Sequence, residues 1–176
     1  MRIALIVVLA ATAVPPAGAQ QNVPPPPPAL GISLGIAGGI AVPVREFART
    51  NAAGYTVGAF ADFGAIEQPV SVRLEASMQE FPRRSEAPAD APNVRIAIGG
   101  ATLVARSPQG SSAVTVLAGL AAYRATDLKI RPGVSAGLGL ELPVRTFTSV
   151  AETRVNFILG GEKPLTTIPI TLGFRF

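Results

Sequence analysis

Eight ionisable side chains stand inside otherwise uncharged stretches of the chain: Asp62, Arg73, Glu75, Arg95, Glu141, Glu152, Arg154 and Arg175. Four are carboxylates and four are guanidinium groups, so the chemistry they can do together is ion pairing in a shared polar space. Glu141 and Glu152 are the carboxylates that neighbouring segments could bring together for acid–base work, but the arginines are their expected partners. The sequence has no His and no Cys. That removes imidazole-activated nucleophiles, thiol chemistry, disulfides and most metal sites. It also has no phosphate-binding glycine loop or dinucleotide-binding pattern. The residues point away from an enzyme and imply no cofactor. A net charge of +4 is too weakly basic to suggest nucleic acid as a partner.

The segments that must position these charges alternate with a period of two. The clearest is the last, Leu165 to Phe176 (LTTIPITLGFRF). Ile168, Ile170, Leu172, Phe174 and Phe176 share one face, and Thr167, Thr171, Gly173 and Arg175 the other, as in a strand between an apolar and a polar medium. Pro169 lies inside it, lacks an N–H for a ladder, and predicts a bulge or local irregularity.

The same alternation recurs from Gly31 onward. Ile32, Leu34, Ile36, Ile40 and Val42 form one apolar face, Tyr55, Val57, Ala59, Ala61 and Phe63 a second, and Val70, Val72, Leu74, Ala76 and Met78 a third. The fourth segment is read with Val94, Ile96, Ile98, Thr102 and Val104 outward and Arg95, Ala97, Gly99 and Ala101 inward. Val114 to Ala122, Val134 to Leu142 and Phe147 to Phe157 supply the next three. Together with the closing segment they predict eight strands, an even number that returns both chain ends to one side. Loops around Arg45 to Ala53, Phe81 to Asn93, Ala125 to Arg131 and Gly160 to Pro164 then share one side, and turns near Ala65, Pro108 and Pro143 the other.

Alternation alone also fits a soluble periplasmic barrel that carries lipid inside. The polar face decides between the two, being mostly Gly, Ala, Ser and Thr with the eight charges interspersed. A water-facing exterior normally carries more Lys and Glu, whereas Lys129 and Lys163 are the lysines here. Small side chains suit a narrow lumen, and an arginine facing lipid near mid-membrane costs about 2–4 kcal/mol. The apolar face is therefore expected to meet lipid, and the charges to plug the lumen as a neutral set. The alternative is that they line a narrow pore.

The N-terminus reads as a processing segment. Met1-Arg2 precedes an apolar run, Ile3 to Val14, that is too short to span a membrane, and Ala17-Gly18-Ala19 offers a small-residue cleavage site. Residues 1–19 are thus expected to be a signal peptide. Residues 20–30, with Pro24 to Pro28, form an extended spacer, and residues 31–176 form the barrel.

With this leader, eight alternating segments and the terminal GFRF, the chain resembles the small outer-membrane β-barrel family, to which the transmembrane domain of outer-membrane protein A and outer-membrane protein X belong. The resemblance implies an all-β, eight-stranded, antiparallel up-and-down transmembrane β-barrel in the bacterial outer membrane. It also implies insertion by the barrel-assembly machinery, which would recognise Ile170, Leu172, Phe174 and Phe176. No cell-wall-binding domain is expected after the closing strand. A monomer with a structural or surface-interacting role follows. The basic outward loops, with Arg45, Arg49, Arg83, Arg84, Arg124, Lys129, Arg131 and Lys163, suggest contact with the phosphates of lipopolysaccharide.

Overall fold

A computed structural model describes residues 31–64, 69–88, 90–109, 112–125, 129–160 and 164–176. The expected signal peptide (1–19) and proline-rich spacer (20–30) lie outside the described residues, as does Lys163.

Eight strands form: β1 (Ile32–Val44), β2 (Gly54–Phe63), β3 (Val70–Phe81), β4 (Val94–Gln109), β5 (Ser112–Ala125), β6 (Arg131–Val144), β7 (Phe147–Ile158) and β8 (Leu165–Arg175). Each pairs antiparallel with its sequence neighbours, and β8 closes onto β1. Beyond β8, Phe176 N–H donates to the Leu34 carbonyl at 2.8 Å and Leu34 N–H donates to the Phe176 carbonyl at 3.1 Å, so the last residue helps seal the barrel. Tracing partners from Leu34 through Ala61, Leu74, Ala101, Leu120, Val134, Phe157 and Thr166 returns to Val44, ten residues further along β1. A stagger of that size requires tilted strands and makes a narrow interior.

Seven of the eight strands face as their alternation predicts. Leu34, Leu74, Val116, Leu120, Leu138, Leu172 and Phe176 stand on the exterior, the reverse of a soluble carrier barrel, which holds its apolar groups inside. The fourth strand is inverted. Ile96, Ile98, Thr102 and Val104 are buried in the lumen, while Arg95, Ala97, Gly99, Ala101 and Leu103 lie outside. The reason is a layer of apolar side chains across the lumen at the long-loop end: Ile96 and Ile98 pack there with Ala41, Phe81, Tyr123 and Ile158. A short helix in the first long loop, α1 (Phe47–Thr50), adds Phe47, whose ring meets Phe81 edge-on at 5.0 Å.

At two prolines the outcome is finer than the expectation: a turn forms just after Pro143, and the ladder is irregular at Pro169. The β6–β7 connection is the two residues Arg145-Thr146, with Arg145 at φ 41°, so Pro143 belongs to the strand. Pro169 creates no bulge. The β7–β8 register is the same on both sides of it, but the ladder lapses between Thr153↔Ile170 and Asn156↔Thr167, while pairing to β1 continues through Ala41↔Pro169. The missing N–H interrupts one ladder without shifting the strand.

Candidate functional site in the lumen and on the wall

Below the apolar layer, towards the short turns, the interior is ionic. Asp62 comes from β2, Arg73 and Glu75 from β3, Arg106 from β4, Glu141 from β6, Glu152 and Arg154 from β7, and Arg175 from β8. They form one connected set. Arg73 Nε and Nη2 donate to the two Asp62 oxygens at 2.6 and 3.0 Å, and Nη1 donates to Glu152. Arg154 spans Glu152 and Glu75, each at 2.7 Å, and Thr102 donates to Glu75 at 2.9 Å. Asp62 also meets Arg106 at 3.0 Å and Arg175 at 3.2 Å, and both of these arginines grip Glu141.

Strand geometry makes room for this. A Cβ on Gly137 would run into the Arg154 side chain, and one on Gly139 into Glu152 and Thr115. Arg73 is fully buried and lies 4.0 Å over the Phe60 ring, adding a cation–π contact to its ion pairs.

Seven of the eight charges expected in the lumen are there: Asp62, Arg73, Glu75, Glu141, Glu152, Arg154 and Arg175. Arg95 is not. It projects from the outer wall with its side chain 59% exposed and pairs with Glu80 at 2.8 Å, to which the Tyr55 hydroxyl donates at 2.9 Å. Its place inside is taken by Arg106, which the inversion of β4 turns inward. The set stays at four carboxylates against four guanidinium groups, so the layer is neutral. The useful signal was available: Arg95 and Arg106 fall on opposite parities of one strand, so one must face out, and the one near the strand end can reach polar surroundings at little cost.

Glu141 and Glu152 do not form an acid–base pair, since each is held by two arginines. Every charge in the layer has a partner, and the pairs connect side chains of β2, β3, β4, β6, β7 and β8.

The outer wall complements the lumen. Aliphatic side chains cover the middle of the strands, and aromatic rings gather where the barrel closes near the short turns. There Phe147 packs edge-on against Phe174 at 5.3 Å and tilts against Phe176 at 6.3 Å. Ile170, Leu172, Phe174 and Phe176 all face outward and are exposed. An apolar belt edged by aromatic rings is the surface a barrel presents to lipid.

A closed eight-strand antiparallel barrel with an apolar outer wall defines the class, and the fold is that of the small outer-membrane β-barrels. Among solved structures the chain is similar to Neisserial surface protein A, with a TM-score of 0.63 and 15% identity over 82% of this chain and 95% of that one. It is also similar to a major outer membrane protein of Thermus thermophilus, with a TM-score of 0.55 and 11% identity over 84% and 98%. The Yersinia pestis outer membrane protein Ail, in a phospholipid bilayer nanodisc, gives a TM-score of 0.50 and 15% identity over 83% and 99%. No family model matches the sequence, and neither does any curated protein.

Proposed function

We propose that the chain is an integral, monomeric protein of the bacterial outer membrane that acts through its outer surface, in a structural or surface-interacting role without catalysis, around a lumen closed to solutes. The observation that carries this reading is the neutral, fully paired ionic layer across the interior of a barrel whose aliphatic side chains face out. The purified barrel, inserted in planar bilayers, is expected to pass no steady current. A stable open channel would overturn the closed-lumen reading in favour of a narrow pore.

Two partners belong to this reading. The barrel-assembly machinery would take Ile170, Leu172, Phe174 and Phe176 as its signal, a role supported by their exposure in one row on the closing strand. Deleting Phe176 also removes the two backbone bonds to Leu34. In cells it should sharply reduce the fraction of protein that shows the heat-dependent gel shift of a closed barrel, and an undiminished fraction would remove Phe176 from the signal.

The second partner is outer-leaflet lipid, lipopolysaccharide included. Arg95 and Arg124 stand outward and exposed at the long-loop ends of β4 and β5, where guanidinium groups can meet phosphate. Replacing both with Ala should weaken binding of lipopolysaccharide to the refolded barrel, and added salt should shrink the difference. Binding that ignores both changes would count against the contact.

A further inference from the structure

Between the apolar layer and the ionic layer lies a cavity of ≈ 70 Å³, lined in part by Thr56, Ser77, Gln79, Tyr123 and Asn156. Gln79 is 2% exposed, and its Oε1 has no hydrogen-bond partner among the described residues. A buried amide oxygen beside a space walled in part by hydroxyl and amide groups calls for a hydrogen-bond donor. The volume is several times the roughly 10–15 Å³ that one water needs, so it has room for more than one. An ion is the poorer occupant. The charged groups on the wall, Glu75, Glu152 and Arg154, are already matched to each other, and the described residues contain no cluster suited to a metal.

We infer that the lumen contains a water-filled chamber beside Gln79, closed by two barriers of opposite character in series: an apolar one above, formed by Phe47, Phe81, Ile96 and Ile158, and the ionic one below. The proposal rests on the closed-lumen reading and adds where the closure lies. A dry constriction excludes hydrated solutes because they must shed water to pass it, whereas the ionic layer excludes them by filling space. The two fail independently. Rotating one ion pair out of the lower layer therefore opens no path, because the apolar layer still stands, and loosening the upper layer only joins the chamber to the outside.

The absence of cysteine in the chain gives a clean background for the test. Ser77→Cys places a thiol on the chamber wall without touching either barrier, and labelling by a charged, membrane-impermeant thiol reagent is followed from each side of oriented proteoliposomes. With both barriers intact, labelling is slow from both sides. Adding Phe81→Ala should speed it about tenfold or more from the long-loop side alone, and adding Glu152→Gln with Arg154→Gln should do so from the short-turn side alone. Only the combination should conduct in planar bilayers.

Rapid labelling of the Ser77→Cys barrel from either side, or conductance after loss of one layer, would overturn the two-barrier arrangement. Conductance of the unaltered barrel would instead defeat the closed-lumen reading beneath it. The unaltered protein supplies an independent measurement: water-selective NMR should show cross-relaxation between the Gln79 side-chain amide and long-lived water. A dry Gln79 would overturn the chamber even if the substituted barrels fail to fold.

Discussion

Arg73→Met should cost about 3–5 kcal/mol of unfolding free energy, enough to leave little of the barrel folded at moderate urea concentrations. Methionine keeps much of the arginine stem's packing against the Phe60 ring, so the loss isolates the charge. Asp62 retains Arg106 and Arg175, and Glu152 retains Arg154, but the layer is left with four carboxylates against three guanidinium groups in a place without bulk water. An unmatched buried charge costs more than the pair was worth. Glu152→Gln alone should also destabilise, whereas Arg73→Met with Glu152→Gln should recover part of the loss because neutrality returns. Urea titrations of the barrel refolded in lipid vesicles, followed by circular dichroism, read all three. Arg95→Ala is the control: its pair with Glu80 is exposed on the outer wall, and the change should stay under about 1 kcal/mol. Equal costs at Arg73 and Arg95 would mean that bulk water reaches the ionic layer and that the layer is no barrier.

The contrast between these two arginines shows how far the sequence could be read. Alternation carries the strand count, the closure and the faces of seven strands, because in those strands one face is large and aliphatic and the other small or charged. The rule behind it assumes a polar lumen along its whole length. In β4 that assumption fails, since the interior at the loop end is apolar and takes the larger Ile96 and Ile98, leaving Ala97, Gly99 and Ala101 for the exterior. Both faces of the strand are apolar there, so hydropathy has no contrast to report. Ending the strand at Val104 also hid Arg106, whose parity would have fixed the face. The helix that brings Phe47 onto Phe81 left no sequence signal either: it is four residues long and held by a tertiary contact. Pro169 was legible as a disturbance but not as its kind, because whether a strand bulges or merely skips a bond depends on the register its neighbours enforce on both sides.

The inverted strand gives the other large effect. Ala101 pairs with Leu74 on β3 and Leu120 on β5, both outward and exposed, so it sits in the apolar belt well away from either strand end. Ala101→Arg should therefore cost about 2–4 kcal/mol and depress insertion, while Ala101→Leu should fold as well as the parent. Ile98→Ala, three residues away on the other face, should cost about 2–5 kcal/mol by opening a void in the upper layer. With the opposite facing, these outcomes exchange: an arginine at 101 would enter a polar lumen and find carboxylates, and an alanine at 98 would remove only lipid contact. Folding efficiency into vesicles, measured by heat-dependent gel mobility for the three variants side by side, separates the two cases. A tolerated Ala101→Arg together with a neutral Ile98→Ala would turn β4 over, draw Arg95 back into the lumen, expel Arg106, and remove the apolar layer on which the upper barrier depends.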